Sequence, residues 1–291
     1  VCVLDTGVNY NHADLSDNYV SGYDYVNLDS DPLDDHGHGT HVSGIVQGVA
    51  PNVKLLHVKV LNSAGSGSES DIVAGITWCR TNKDTYNIKT ITMSLGAGLY
   101  SNYCDGSFPT LATAINNAIS DNILVIASSG NDGSSSQISS PGCIENTTAV
   151  GATDKSDNIA SYSNSNSLID LMAPGSSINA TAMGGGYTTL SGTSMAAPHV
   201  AGSVALIQEY KYDSGGSYLN PTDVETYFEN NGKDVGGYKR INIYDSVKKL
   251  DNVIPRLGLY SPLNQVYSES SIGLNYSASD MFLEQVYYNL N

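Results

Sequence analysis

The chain has 291 residues, of which 40% are hydrophobic and 29 are glycine, and this composition favours a globular core with many tight turns over disorder. Its formal net charge of −16, from 13 basic and 29 acidic residues, argues against nucleic acid and anionic membranes as partners. The sequence has no run of about 18 or more apolar residues, so we expect no membrane span.

Short apolar, β-branched runs alternate with helix-like stretches along most of the chain. The predicted strands are Val1–Leu4, Leu55–Val60, Thr90–Ser94, Ile123–Ser128, Thr148–Gly151 and Leu168–Ala173. The predicted helices are Gly39–Val46, Ser70–Asn82, Thr110–Ser120 and a long one from about Met195 to Tyr210. Buried strands separated by helices predict an α/β fold, a twisted parallel sheet with helices on both faces. A dinucleotide-binding fold has the same alternation, but no GxGxxG follows the first strand.

Polar segments follow several of these strands directly. Asp5 follows VCVL, Ser94–Gly96 follow ITM, and Asn131 follows ILVIASSG. Because functional residues of parallel sheets gather at the carboxyl ends of the strands, we expect these segments to share one edge. The Asp5 carboxylate, coming after four apolar residues, would be costly to bury without a partner.

Three motifs carry the chemistry: DTG at residues 5–7, HGTHVSG at 38–44 and SGTSMAAPHVAG at 191–202. Each places an acid, a base or a nucleophile beside small residues that allow close approach of backbone and substrate. In the chain order Asp, His, Ser they resemble the subtilisin-like (subtilase) family of serine peptidases, over residues 1–250. The resemblance implies that Ser194 is the nucleophile, His38 its general base and Asp5 the carboxylate that orients His38.

The same resemblance implies an oxyanion hole and a substrate cleft. Asn131, in ASSGND, would donate its side-chain amide to the oxyanion together with the Ser194 backbone N–H. The segment Ser94, Leu95 and Gly96 would pair with the substrate backbone as an added strand. The pocket for the residue before the scissile bond would be lined by Ser128, Ser129, Gly130 and Ser139. Small uncharged walls favour medium to large apolar side chains, and Asp132 at the rim would tolerate a basic one.

The histidine-rich segment DDHGHGTH at 34–41 also fits a metal site. A zinc site needs three or four convergent ligands and would leave Ser194 and Asp5 without a role. We therefore interpret His38 as the base and His41 as a buried structural residue, and we predict no metal in the site.

Calcium is the other metal to consider, because many family members have a calcium-binding loop after the His helix. Here only three residues separate Gly44 from Gly48, so that loop is absent. Asp14 matches the position of a calcium-ligating aspartate, but most of its companions are missing. We expect no calcium at that site and no cofactor in the chemistry, and structural calcium elsewhere stays open.

Four cysteines allow three complete pairings. Cys2 lies in an apolar strand and Cys79 follows Trp78 on a helix, so both are interpreted as buried packing residues, and whether they pair with each other stays open. Cys104 and Cys143 lie in polar loops. The family resemblance places these loops on two sides of the same pocket and implies a Cys104–Cys143 disulfide, which fits an oxidising compartment.

The character of the sequence changes after residue 250. The segment GGYKRINIYDSVKKL at 236–250 resembles the last strand and closing helix of the family domain, and turn clusters then separate strands such as Ser271–Tyr276 and Gln285–Asn289. These strands resemble the start of an immunoglobulin-like β-sandwich, which needs about 100 residues. We therefore expect a catalytic domain at 1–250, truncated at its N-terminus, and an incomplete all-β accessory domain at 251–291. A pro-region and further C-terminal domains are expected in the complete protein.

Together these features imply a secreted, monomeric serine endopeptidase, extracellular or at the cell surface. It would cut protein or peptide substrates through an acyl-enzyme, with broad specificity and an apolar preference. The alternative is a binding or adhesion protein that keeps the fold without activity. The complete set of Asp5, His38, Asn131 and Ser194 speaks against that alternative, because a binding role requires none of them.

Overall fold

The computed structural model describes residues 1–250, 256–261 and 275–279. The chain divides into two compact units, Val1–Ser246 and Val247–Asn291. The first unit contains a nine-stranded sheet in which only the edge pair β12–β13 is antiparallel. From one edge to the other its strands are β12 (Lys233–Val235), β13 (Tyr238–Arg240), β9 (Leu171–Pro174), β8 (Thr148–Thr153), β6 (Leu124–Ser128), β4 (Thr90–Met93), β1 (Cys2–Asp5), β3 (Leu55–Lys59) and β2 (Tyr19–Asp24).

Helices cover both faces of this sheet, as predicted. The helices of the described residues are α1 (His38–Val49), α2 (Glu69–Thr81), α3 (Lys83–Tyr86), α4 (Pro109–Ser120), α5 (Thr193–Gly215), α6 (Pro221–Asn231) and α7 (Ile243–Leu250). Alternate residues of β1 distinguish the two layers, since Leu4 lies against Gly75 of α2 whereas Asp5 lies against Gly39 of α1. Helices α1 and α5 pack together on one face, and α2 and α4 pack together on the other.

The differences from the predicted elements have local causes. Strand β2 was not predicted, because its sequence YVSGYD contains a glycine and buries only Gly22 and Asp24 fully. Strand β9 begins at Leu171 rather than Leu168, because the Ile169 N–H bonds back to the Asn166 carbonyl in a turn (3.2 Å). The predicted last strand and closing helix are β13 and α7.

Three antiparallel strand pairs lie outside the large sheet. They are β5 (Ala97–Tyr100) with β7 (Ile138–Ser140), β10 (Ile178–Thr181) with β11 (Tyr187–Leu190), and β14 (Arg256–Ser261) with β15 (Asn275–Ser279). The last pair belongs to the second unit, where the end of the predicted strand at 271–276 falls within β15 and residues 271–274 lie outside the described residues. The predicted strand at 285–289 lies outside the described residues, and the sandwich stays a prediction.

The cysteines form two disulfides. Cys104 is joined to Cys143, the pairing expected from the sequence, with Cα atoms 5.4 Å apart. Cys2 and Cys79, interpreted from the sequence as packing residues with their pairing left open, form the second disulfide, with Cα atoms 6.3 Å apart. Both are fully buried where β1 packs on α2. Their neighbours in the sequence are therefore apolar, as they would be for buried cysteines that form no bridge. Within the described residues, no helix is long and apolar enough to cross a bilayer.

Candidate active site

The predicted site residues meet at one edge of the sheet. Strands β6, β4 and β1 are neighbours, so their carboxyl ends bring Asn131, Ser94 and Asp5 to the same place. Two helices begin there as well, with His38 as the first residue of α1 and Ser194 as the second residue of α5. Helix α5 begins earlier than predicted, which places Ser194 inside its first turn.

Asp5 and His38 form a direct hydrogen bond. The His38 Nδ1–H donates to Asp5 Oδ1 at 2.7 Å, and the Thr6 backbone N–H donates to the same oxygen at 2.7 Å. Burial opposes a charge on His38, but the charge of Asp5 and its hydrogen bond outweigh that effect and raise the pKa of His38. Asp5 is completely buried, and its hydrogen bond to Nδ1 orients the imidazole of His38. The bond at Nδ1 leaves Nε2 to accept a proton.

Asp34 fixes the segment that leads into His38, a role that sequence reasoning missed. Its carboxylate accepts hydrogen bonds from the backbone N–H groups of His36, Gly37 and Thr40 and from the hydroxyls of Thr6 and Thr40. Although burial opposes it, these hydrogen bonds lower the pKa of Asp34. Gly37, the N-cap of α1, has no side chain, so Asp34 accepts from the free N–H groups of Gly37 and Thr40, while the Thr6 hydroxyl accepts from that of Gly39. A carboxylate three residues before a glycine N-cap was the available signal.

The Ser194 hydroxyl lies in the same cleft as His38 but bonds elsewhere. It donates to the Ser94 backbone carbonyl at 3.3 Å, and the Ser94 hydroxyl donates to the Ser194 carbonyl at 2.8 Å. The structure therefore holds no Ser194–His38 hydrogen bond. Catalytic hydrogen bonds are often long or misaligned before substrate binds and tighten in the complex.

Asn131 is held so that its amide nitrogen is available. Its Oδ1 accepts hydrogen bonds from the Thr193 backbone N–H (2.8 Å) and hydroxyl (3.1 Å). A Cβ atom added at Gly192 would lie 3.5 Å from Asn131 Nδ2 and 3.7 Å from the Ser194 backbone nitrogen. The two donors therefore flank the same space beside Gly192, where a side chain would intrude. This is the arrangement that a negatively charged oxygen requires.

These residues surround one cleft of about 640 Å³. Of the predicted substrate-binding residues, Ser94, Leu95, Gly96, Ser128, Gly130 and Ser139 line it. The prediction for Ser129 is wrong: it is fully buried and its hydroxyl donates to the Asn164 carbonyl at 2.9 Å. Successive residues of an extended segment point to opposite sides, so Ser128 and Gly130 face the cleft while Ser129 faces away.

Part of the cleft was not predicted. Ile72, Phe108 and Leu111, from the starts of α2 and α4, form an apolar region beside Leu95. The signal in the sequence was an apolar residue near the start of each helix. Asp132, the predicted rim residue, also lines the cleft, and its carboxylate accepts a hydrogen bond from Asn164 Nδ2 at 3.0 Å.

Two of the residues considered for metal binding, His41 and Asp14, have protein partners. His41 is fully buried and its Nε2 bonds to the Thr188 carbonyl at 3.1 Å, which confirms its structural interpretation. The Asp14 carboxylate accepts a 2.5 Å hydrogen bond from the Tyr187 hydroxyl. In the described part of the chain, no group of three or more His, Cys, Asp or Glu side chains is arranged to hold a metal ion.

A second completely buried histidine, besides His41, lies on β3. His57 is completely buried, and burial lowers its pKa to about 4. In the unfolded chain the His57 imidazole binds a proton near pH 6.5, whereas in the folded chain it does so only near pH 4. As the pH falls from 6.5 towards 4, protonation of the unfolded state therefore lowers the free energy of unfolding, by up to about 3 kcal/mol from this residue.

We expect His57→Leu to lose less stability than the parent chain between pH 7 and pH 4, because leucine has no proton to bind. Urea unfolding at several pH values, on a Ser194→Ala background that prevents self-digestion, measures the difference. Identical pH dependence in the two proteins would show that His57 does not carry this acid sensitivity.

Comparison with known proteins agrees with the geometry of the site. Residues 1–244 match the subtilase family (Peptidase_S8). The chain is 38% identical over 263 residues to the thermophilic serine proteinase of Bacillus sp. (strain AK1), a match that covers 85% of this chain and 61% of the relative. It is 42% identical over 219 residues to subtilisin DY of Bacillus licheniformis, covering 71% and 75%.

The fold also matches solved structures. A cold adapted subtilisin-like serine proteinase superposes with a TM-score of 0.73 at 36% sequence identity, covering 84% of this chain and 87% of that one. The chain spans 61% of the thermophilic proteinase and 40% of alkaline serine exoprotease A of Vibrio alginolyticus, which is 39% identical. On the match across residues 1–244, the sequence identities and this fold, the chain belongs to the subtilase family.

Proposed function

We propose that the protein is a serine endopeptidase that hydrolyses peptide bonds in proteins through an acyl-enzyme. The observation that carries the proposal is the Asp5–His38 hydrogen bond at the end of a cleft that also holds Ser194 and Asn131. The names of the relatives support it, since the two with the matches described above are a serine proteinase and a subtilisin.

The proposed mechanism uses only groups of this chain and water. Ser194 Oγ attacks the carbonyl carbon of the scissile bond while His38 Nε2 takes its proton. Asp5 holds the imidazolium, and Asn131 Nδ2 with the Ser194 N–H stabilises the oxyanion. The intermediate collapses as His38 gives its proton to the leaving amine. Water then attacks the acyl-enzyme with His38 again as base, which releases the acid and restores Ser194.

The lining of the cleft supports broad specificity with an apolar preference. Backbone pairing along Leu95–Gly96 reads the shape of an extended strand rather than its side chains. Ser128, Gly130 and Ser139 give the pocket before the scissile bond small uncharged walls. Gly130 has φ +104°, and a Cβ there would collide with the Ser139 hydroxyl, so a larger residue would close this pocket.

Localisation, assembly and cofactors are part of the same proposal. We infer an extracellular or cell-surface monomer, and the two disulfides support an oxidising compartment. We also infer that the chemistry needs no cofactor and that Asp14 holds no calcium, because its carboxylate is engaged by Tyr187.

Hydrolysis of peptides blocked at both ends tests the proposal. We expect kcat/KM to be highest with Phe or Leu before the scissile bond, lower with Arg and lowest with Asp, because acidic Asp132 lies at the cleft. We also expect kcat/KM to rise with pH through the neutral range, as His38 loses its proton. Folded protein that leaves every blocked peptide intact, or that cleaves only peptides with a free end, would contradict endopeptidase activity.

A further inference from the structure

Strand β3 carries a lysine in an unusual place for a charge. Lys59 is among the largest completely buried side chains, with 1% of the side chain exposed. It pairs in register with Asp5 across the β1–β3 ladder, so it lies directly beside the proposed catalytic acid. A buried ammonium is strongly unfavourable unless each of its donors has an acceptor.

The Lys59 ammonium has three acceptors, one for each proton. Nζ donates to the Thr6 carbonyl at 2.6 Å, to the Leu61 carbonyl at 2.8 Å and to Asp35 Oδ1 at 2.6 Å. Thr6 directly follows Asp5, whereas Asp35 lies in the segment that leads into His38. The buried Lys59 ammonium therefore connects the segment that carries Asp5 with the segment that leads to His38.

Thr6 forms hydrogen bonds both to Asp5 and to the first turn of the helix that begins with His38. Its backbone N–H donates to Asp5 Oδ1 at 2.7 Å. Its hydroxyl donates to Asp34 at 2.9 Å and accepts from the Gly39 N–H, in the first turn of α1, at 2.9 Å. A displacement of Thr6 would thus move the Asp5 carboxylate and the start of the His38 helix relative to each other.

We propose that Lys59 is a positioning residue, which sets the geometry of the Asp5–His38 pair by donating a hydrogen bond to the Thr6 carbonyl. An apolar side chain of similar length would fill the volume but leave this carbonyl without its donor. A misplacement of about 1 Å can cost about 100-fold in rate. The kinetic test of this proposal rests on the proposed peptidase activity.

Three variants distinguish two effects of removing Lys59: loss of the hydrogen bond to the Thr6 carbonyl (positioning) and loss of the positive charge that pairs with Asp35 (charge balance). In Lys59→Met we expect kcat, corrected for the titrated fraction of active sites, to fall about 10- to 100-fold with KM changed less than about threefold. Asp35→Asn, which keeps an oxygen acceptor for Lys59, should lose no more than about threefold. The double variant Lys59→Met/Asp35→Asn has no unpaired carboxylate, yet it should be as slow as Lys59→Met. Recovery of kcat in the double variant would overturn the proposal in favour of charge balance.

A neighbouring residue provides the control for destabilisation. Val58 is also fully buried on β3 but points into the opposite core, so Val58→Ala weakens the strand without touching Thr6. We expect its kcat per active site to match the parent chain. An equal loss of kcat in Val58→Ala and Lys59→Met would show a general effect of the strand and contradict positioning.

A readout without catalysis separates this proposal from the proposed function. The proton shared by His38 Nδ1 and Asp5 should give a low-field NMR resonance, which we expect to shift or disappear in Lys59→Met and to persist in Val58→Ala. If the parent protein cleaves nothing, the peptidase proposal fails while this resonance still tests Lys59. An unchanged resonance in Lys59→Met would overturn the positioning role.

Discussion

Ser194→Ala is expected to lower kcat by roughly 10⁶-fold, the size of loss found on removing the corresponding serine of a subtilisin. The hydroxyl supplies the electron pair that forms the acyl-enzyme, and alanine has no substitute for it. The fold should persist, because the hydroxyl makes one long hydrogen bond, to the Ser94 carbonyl at 3.3 Å. Hydrolysis of a blocked peptide and the melting temperature measure both effects.

The matched control is Ser94→Ala, which removes a neighbouring hydroxyl that donates a hydrogen bond to the Ser194 carbonyl. It removes no bond-forming atom, so its loss of kcat should be far smaller than that of Ser194→Ala. Peptide cleavage by Ser194→Ala at more than a hundredth of the parent rate would contradict the assignment of the nucleophile.

Asn131→Leu is expected to lower kcat by about 10²- to 10³-fold with little change in KM. The equivalent loss in subtilisin corresponds to about 2.7–4 kcal/mol. The donor acts on charge that appears only in the transition state, so ground-state binding of the peptide should be nearly unaffected. Steady-state kinetics on one blocked peptide separates kcat from KM.

Asn117→Leu on the exposed face of α4 makes the same chemical change away from the cleft and should leave both constants unchanged. A variant at Asn131 that raises KM while keeping kcat would assign the residue to substrate binding. Equal kinetics in Asn131→Leu and the parent chain would remove it from the site.

Residue types within short motifs were sufficient to predict where Asp5, His38 and Ser194 belong. Each lies at the end of an apolar strand or the start of a helix, and these positions follow from local sequence. The parallel sheet was predictable for the same reason, since its central strands are buried on both faces and read as continuous apolar runs.

What could not be predicted depends on contacts between distant segments. The Cys2–Cys79 bridge requires β1 to pack on α2, and a cysteine in an apolar segment looks the same with or without a partner. Ser129 differs from Ser128 only in the direction of its side chain, which depends on how β6 sits in the sheet. The roles of Asp34 and Lys59 exist only because α1 folds onto the Asp5 strand.

A serine-directed phosphonate tests most directly whether His38 activates Ser194 in the folded protein. Mass spectrometry of the treated chain should show a single adduct, and peptide mapping should place it on Ser194. The same treatment of His38→Ala should give little or no adduct, because the hydroxyl then has no base. A folded protein without any adduct, as expected of a binding protein that merely keeps this fold, would contradict the proposed activity, and an adduct on another serine would contradict the site.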